Sequence, residues 1–269
     1  MEKVESKKQQ TIEALKKTEE LYVIISACTK MPYVVCDVET FDDEIFVYFS
    51  QEQAKVEGKK LLEEKIPVQI AKIEEKQKLG FFSSLYTMGI NCILVDGHLE
   101  TESRIQLEEL VKRPQLDKIP EGQVWIENPQ LYLTSLYFMQ ELRKQPKPQL
   151  TEELKELQEE ILVNYGRGRF IAAIHNENGI PLIKKEGQDA FQPLFTDILE
   201  FQKFNVNGKF RPMIVDANKV VQILVPDARG VVINPNSINL QLPITREKEK
   251  NHEKSVEQIA AEAIGKGEA

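Results

Sequence analysis

Short runs of Val, Ile, Phe and Tyr alternate along this chain with stretches whose apolar residues recur at helical spacing. LYVIISACT, PYVVCDV and EIFVYFS predict three strands between residues 21 and 50. Ser50 and Gln53 form a capping-box pattern before a predicted helix, QEQAKVEGKKLLEEK. The strand VQIAKI, a second helix that stops at Gly89, and the strand NCILVDG complete the first half.

The second half repeats this plan. RFIAAIH, IPLIKKE and AFQPLF predict three strands, and Asp197 with Glu200 again forms a capping-box pattern before a helix. The strand RPMIVD, a short helix and the strand GVVIN follow. With Phe49-Ser50 aligned to Phe195-Thr196, both halves have the order β-β-β-α-β-α-β. We therefore predict an α+β protein of two tandem mixed-sheet domains, with helical N- and C-terminal extensions.

The predicted boundaries follow changes in composition. The N-terminal helical extension covers residues 1–20, and its thin apolar stripe predicts a surface or frayed helix. VWIE predicts a further strand, and Asn128-Pro129 a helix start. The divisions are a first domain over 21–143, a polar, proline-containing linker over 144–150, a second domain over 151–245, and a charged helical tail over 246–269.

Charge and cysteine usage narrow the class of protein. The net charge of −8 over 269 residues opposes nonspecific nucleic-acid binding, and no apolar run approaches the length that crosses a bilayer. The N-terminus lacks the apolar core of a secretory signal. The odd count of three cysteines fits free thiols in a reducing compartment. We expect a cytoplasmic protein that binds neither nucleic acid nor membrane.

The residues suited to chemistry do not form a known catalytic or metal-binding pattern. Cys28, Cys36, Cys92 and His98 lack the tight pair spacing of structural zinc sites, so we predict no metal. Gly166-Arg-Gly-Arg169 precedes a strand, whereas a phosphate-binding loop follows one. No catalytic residue and no cofactor are assigned. A Cys/His or Ser/His pair that meets only in space stays open.

The second half resembles a known family. Pro193-Leu194-Phe195-Thr196, Phe201, Phe204, Gly230 and Ile233-Asn234-Pro235 resemble the SseB family, and the resemblance covers residues 165 to 245. The first half departs from the pattern, because Ser50 replaces the Thr and Asp96-Gly97 replaces Asn-Pro. The resemblance implies an α+β domain without an established enzymatic activity. The serine-sensitivity phenotype behind the family's name implies no mechanism for this chain.

Two functional hypotheses follow. The first is a non-catalytic cytoplasmic protein of the SseB type, an interaction or scaffold module for a protein partner. The second is a small-ligand binder or enzyme with a site at the carboxyl ends of the parallel strands. The first uses the paired domains and the charged terminal helices, and it predicts an extended groove or apolar patch between the domains. Both leave the partner and the oligomeric state open. The candidate binding residues are Phe195, Thr196, Asn234, Pro235, Ser50 and Asp96, although helix capping and turn formation also account for them.

Overall fold

A computed structural model divides the chain into two compact units, Met1–Gln123 and Val124–Ala269. Each unit contains one six-stranded mixed sheet with helices, so the predicted α+β class and the two tandem domains are confirmed. The structure describes residues 2–113, 124–144, 147, 149–175, 177, 179–184 and 189–244, with side chains from residue 7 onward.

The first domain begins with a helix and then follows the predicted order, with one added strand and a closing helical turn. Its elements are α1 (Glu2–Lys17), β1 (Glu20–Ser26), β2 (Val34–Cys36), β3 (Asp43–Tyr48), α2 (Gln51–Glu63), β4 (Val68–Glu74), α3 (Glu75–Thr87), β5 (Cys92–Val95), β6 (Ser103–Gln106) and α4 (Leu107–Leu110).

The sheet of the first domain has the order β4-β1-β3-β5-β6, and β2 also pairs with β3. The two central strands β3 and β5 are parallel, with Val47 opposite Val95, while every other pair is antiparallel. A sheet that is parallel at its centre needs a connection across one face, and α2, β4 and α3 supply it. The carboxyl ends of β3 and β5 therefore lie side by side.

Alternation of side chains gives this sheet two apolar faces. Tyr22, Ile24 and Tyr48 form one cluster with Ala54 and Leu61 of α2. Because neighbouring residues of a strand point to opposite faces, the buried residues Leu21, Val23 and Val47 face the other way. Both faces are covered, which fits the near-continuous apolar character of β1 and β3.

The N-terminal helix is a structural part of the first domain, with a thin buried stripe and an otherwise exposed surface, and its carboxyl end is not frayed. Ile12 and Leu15 of α1 are buried, and α1 packs against β6. The buried Lys78 of α3 donates from Nζ to the carbonyls of Leu15 (3.1 Å), Lys16 (2.9 Å) and Thr18. The ammonium group thus satisfies backbone acceptors that the end of a helix leaves unbonded.

The second domain contains the same order of elements after two helices. Its elements are α5 (Pro129–Leu142), α6 (Glu152–Arg167), β7 (Arg169–His175), β8 (Ile183–Lys184), β9 (Ala190–Phe195), α7 (Ile198–Phe204), β10 (Phe210–Asp216), a 3-10 turn (Ala217–Lys219), α8 (Val220–Ile223), β11 (Ala228–Ile233) and β12 (Leu240–Pro243).

The sheet of the second domain has the order β10-β7-β9-β11-β12, with β8 paired to β9 and only β9 and β11 parallel. This is the topology of the first sheet, strand for strand. Each described sheet contains a sixth strand, β6 or β12, which the sequence did not predict. The segment VWIE was predicted to be a strand, but Val124–Glu127 is irregular.

The register of the repeat differs by one residue from the sequence alignment. Tyr22 pairs with Tyr48 in the first sheet, and Ile171 pairs with Phe195 in the second. Tyr48 is therefore the equivalent of Phe195, and Ser50 is the equivalent of Asp197. The aligned pair Phe49-Ser50 matches Thr196-Asp197, not Phe195-Thr196.

The N-terminal caps of α2 and α7 differ from the predicted capping boxes. Ser50 precedes α2 but makes no side-chain cap bond, since its Oγ lies 3.1 Å from Glu52. Asp197 caps α7 by accepting from the backbone N–H of Leu199 (2.9 Å) and Glu200 (3.0 Å). Helix capping was one explanation for a Thr at position 196, but the structure gives the capping role to Asp197.

The division between the units falls between Gln123 and Val124, ahead of the predicted linker 144–150. Helix α5, which was assigned to the first domain, packs against α6 in the second. Parts of the predicted linker and all of the predicted tail 246–269 lie outside the described residues. In the described part of the chain, no helix has the length and apolar character needed to cross a bilayer.

Candidate functional site

The predicted binding residues of the second domain meet where β9 and β11 end. The N–H of Thr196 donates to Asn234 Oδ1 (3.0 Å), and Asn234 Nδ2 donates to Thr196 Oγ1 (2.7 Å). Asn234 adopts a left-handed backbone with φ of 46°, which turns its side chain back across the end of β9. Both residues are 0% exposed. This strand-end corner is closed by its own side chains.

A buried carboxylate extends the corner toward α7. Asp197 Oδ2 accepts from Thr196 Oγ1 (2.7 Å), while Oδ1 holds the first turn of α7. Burial raises the pKa of Asp197 above its ordinary value of 3.8, and the hydrogen bond from Thr196 partly offsets this rise. Asp197 therefore contributes a cap to the helix at the cost of desolvating its charge.

A second buried network lies behind the corner, and sequence reasoning missed it. Glu200 accepts from Tyr132 Oη (2.9 Å) at one carboxylate oxygen and from Ser237 Oγ (2.6 Å) at the other, and it pairs with Lys203. Burial, followed by the charge of Glu200, raises the pKa of Tyr132. Tyr132 and Ser237 come from α5 and the loop after β11, so no local pattern in the sequence could have joined them to Glu200.

The equivalent corner of the first domain uses a carboxylate in place of the amide. Asp96 has φ of 50° and accepts from the backbone N–H of Phe49 (3.2 Å) and from Thr101 Oγ1 (2.9 Å). Asp96 therefore takes the position and the acceptor role of Asn234. Both belong to the predicted set, and each lies at the corner of its own domain.

The first corner is open on one side. His98 has φ of 64°, and its N–H donates to Glu102 (2.7 Å). Its half-exposed ring places Nδ1 3.2 Å from the buried carboxylate of Glu57, which also pairs with Lys60 (3.0 Å). Burial, with the charge of Glu57, raises the pKa of the neighbouring Tyr48. Asn236 and Phe204 stand at the equivalent positions of the second domain, so the pair of His98 and Glu57 has no counterpart there.

The remaining predicted residues have structural positions. Phe195 is fully buried and packs edge-on against Phe201, with ring centroids 5.6 Å apart. Pro235 is half-buried in the turn after Asn234, and Ser50 is half-buried before α2. The predicted residues thus fall into two corners, one in each domain.

A cluster of potential metal ligands lies at the opposite ends of β3 and β5. Ligand atoms of Asp42, Glu44 and Cys92 lie within 4.8 Å of one another. Arg104 Nε already bonds to Glu44 (2.9 Å), and Asn91 and Gln106 donate to Asp42 (both 2.8 Å). Burial and then the charge of Glu44 raise the pKa of the Cys92 thiol. The carboxylates of this cluster are thus already bonded by side chains of the same domain.

Comparison with known proteins assigns the chain to no family. No family model matches the chain, and no curated protein matches it. Two solved structures are similar to it. Anabaena Tic22 (protein transport) is 12% identical over 80% of this chain and 84% of that chain, with a TM-score of 0.21. Tic22 from Plasmodium falciparum is 16% identical over 95% of this chain and 98% of that chain, with a TM-score of 0.22.

Proposed function

We propose that the chain is a non-catalytic protein of the SseB type, whose two α+β domains bind a protein partner in the cytoplasm. The observation that carries this proposal is the closure of the second corner. Thr196 and Asn234 lie at the carboxyl ends of the parallel strands, where open sheets commonly bind ligands. Both side chains bond to each other and are 0% exposed. Side chains of the domain itself fill the space that a ligand would occupy.

The cysteines support the cytoplasmic part of the proposal. Cys36 is an exposed thiol and Cys92 a buried one, and neither is in a disulfide. A chain that has both an exposed and a buried thiol outside any disulfide fits a reducing compartment, where disulfides do not persist.

Affinity capture with the immobilised full chain tests the proposal. We expect a polypeptide to be retained in stoichiometric amount from native cytoplasm, and not by chain that was unfolded before immobilisation. The unfolded control separates a folded surface from general apolar adhesion. A chain that retains no polypeptide, but is strongly stabilised by a metabolite or nucleotide in a thermal-shift screen, would contradict the proposal.

One observation favours the alternative of a small-ligand site or enzyme. The half-exposed His98 lies 3.2 Å from the buried Glu57 at the open side of the first corner, a pairing that general acid–base chemistry uses. Under this alternative, His98→Gln abolishes ligand-induced stabilisation, whereas His175→Gln in the second domain leaves it unchanged. Retention of the stabilisation in both variants would exclude this corner as the ligand site.

A further inference from the structure

Strand β4 lies at the end of its sheet, and its hydrogen-bonding direction follows from β1. The N–H of Ala27 turns toward β4 and bonds to Pro67 (2.8 Å), while the N–H of Ser26 turns the other way, to Met31 (2.9 Å). Because these directions alternate along a strand, Gln69, Ala71 and Ile73 bond to β1.

The intervening residues of β4 point their backbone groups away from the sheet. We call the N–H and C=O groups of Val68, Ile70 and Lys72 the β4 edge. In the described part of the chain these groups have no hydrogen-bond partner. At the end of the strand, the N–H of Glu74 is bonded to Gln77 (2.9 Å). The β4 edge is therefore a row of unpaired donors and acceptors, which is a template for another strand.

The second domain protects the same edge. Pairing of Ile24 with Ile70 and of Ala173 with Pro212 makes Pro212 the equivalent of Ile70. A proline at this outward position has no N–H to offer. Phe210 lies two residues before Pro212, and Asn205 bonds to both its N–H (3.0 Å) and its C=O (2.8 Å). One copy of the repeat thus blocks strand addition at positions that the other copy leaves open.

Side chains around the β4 edge leave room for a strand. Gly58 of α2 lies over Ile70, because a Cβ at Gly58 would stand 3.8 Å from Ile70 Cδ1. One helical turn later, Leu62 is 54% exposed. The side chain of Lys72 pairs with Glu20 on β1 and is therefore drawn away from the edge. Residues of an added strand that face α2 would meet an apolar surface.

The carboxyl end of β4 adds a charge preference. A shallow groove of about 340 Å³ lies there, lined by Glu19, Glu20, Lys72, Glu74, Glu75 and Lys76. Four carboxylates and two ammonium groups line this groove. Lys72 pairs with Glu20 and Lys76 with Glu74 (3.1 Å), so among the described residues Glu19 and Glu75 supply the excess negative charge. A lysine or arginine at the end of an added strand would find complementary charge.

We infer that the β4 edge docks an extended segment of a partner protein, with alternating apolar residues and a basic residue that reaches the acidic groove. This inference rests on the proposed function and specifies where and what the chain binds. Backbone groups supply the affinity of strand addition, and alternate side chains supply its specificity. A polypeptide fits because its extended backbone has the spacing of the edge groups.

Synthetic peptides of about nine residues, a usual strand length, provide the probe. Val or Ile alternates with Thr in these peptides, and Lys stands at one end or the other. Ile70→Pro, which copies Pro212, is compared with Ile70→Ala, which loses the side chain but keeps the N–H. We expect Ile70→Pro to weaken peptide binding at least about fivefold relative to Ile70→Ala, because strand addition loses a hydrogen bond.

Amide exchange on the wild-type chain gives a readout that needs no variant. Bound peptide should slow exchange at Val68, Ile70 and Lys72 and leave Gln69 and Ala71 unchanged, because these two already bond to β1. Glu75→Gln should weaken binding of lysine-bearing peptides and spare peptides with Thr at that end. Equal binding by the two Ile70 variants, or slowed exchange away from β4, would overturn the inference.

Failure of this inference can be told from failure of the proposed function. A partner captured equally by the Ile70→Pro and Ile70→Ala chains would overturn docking at the β4 edge and leave the proposed function standing. Loss of the partner from Ile70→Pro alone supports both. A wild-type chain that captures no polypeptide would count against the function itself.

Discussion

Asp96 and Asn234 are structural equivalents in the two domains. Each follows the last residue of a central parallel strand with a positive φ, 50° and 46°, and each accepts from the backbone N–H at the end of the neighbouring strand, 3.2 and 3.0 Å away. A short polar side chain suits this position, because Asn and Asp tolerate the left-handed region. The duplicated fold thus repeats a local hydrogen bond as well as an order of strands.

Asn234→Ala should destabilise the second domain by about 2 kcal/mol. The change leaves the buried N–H of Thr196 without its acceptor and places alanine at a positive φ. The single tryptophan, Trp125, belongs to the second domain, so its fluorescence during urea unfolding reports on this change. Asp96→Asn, which retains the acceptor for Phe49, is the matched control in the first domain, and its unfolding is followed by far-ultraviolet circular dichroism because Trp125 lies in the other unit. A loss in the control equal to that in Asn234→Ala would argue against the assigned role of the amide.

The free energy of unfolding of the second domain should decrease as pH rises through the titration of Asp197, which is the opposite of the usual effect of a carboxyl group. Its pKa is raised in the folded state by burial, so the folded protein binds this proton more tightly than the unfolded chain. The free energy of unfolding should therefore fall as pH rises from the ordinary value of 3.8 through the raised pKa, and stay level above it. Asp197→Asn lacks this titration, so the difference in the free energy of unfolding between wild type and variant should show the dependence directly.

Asp216 provides the opposite case in the same domain. Hydrogen bonding and charge from Lys219 lower the pKa of Asp216. Its contribution to stability is present above the ordinary value of 3.8 and is lost as pH falls through the lowered pKa. Urea unfolding of the two Asn variants across acid pH should give differences of opposite slope. Slopes of the same sign would show that burial does not govern Asp197.

Lys78→Met should loosen α1 more than it perturbs α3. The ammonium group bonds to the carbonyls of Leu15 (3.1 Å) and Lys16 (2.9 Å), and methionine retains most of the apolar stem without the donors. Losing these bonds should cost about 2 kcal/mol and speed amide exchange in α1. Lys76→Met, on the exposed face of α3, should leave α1 unchanged. Equal exchange in both variants would mean that packing of Ile12 and Leu15 alone holds α1.

The order of the strands was predictable because it depends on local patterns. Runs such as EIFVYFS and AFQPLF carry enough β-branched and aromatic residues to be recognised in isolation. β6 was missed because SRIQ offers one buried apolar residue, Ile105, whose burial depends on α1. A short polar strand at a sheet edge carries almost no periodic signal.

The details of the corners were not predictable, because they depend on distant partners. Thr196 and Asp197 are both good caps in isolation. Asn234, 38 residues later in the chain, bonds to the hydroxyl of Thr196 and leaves Asp197 to cap α7. The alignment error of one residue has the same origin, since matching Ser50 to Thr196 by chemistry overlooks the strand register. The end of α1 is likewise bonded by Lys78, which the pattern of α1 does not contain.

The three thiols should differ in reactivity by position. Cys92 is buried beside Glu44, and burial raises its pKa, so iodoacetamide should not modify it in the folded chain. Cys36 is exposed, but desolvation and then the charge of Asp43 raise its pKa. It should react in the native state more slowly than a free cysteine at the same pH, because less of it is thiolate.

Mass spectrometry of peptides after timed labelling measures this order. Addition of urea should bring Cys92 to the rate of an unfolded thiol, which serves as the internal control. Asp43→Asn should speed native labelling of Cys36, since it removes a nearby negative charge that disfavours the thiolate. Labelling of Cys92 in the native chain at the rate of Cys36 would show that β5 opens readily and would contradict the expected protection of Cys92.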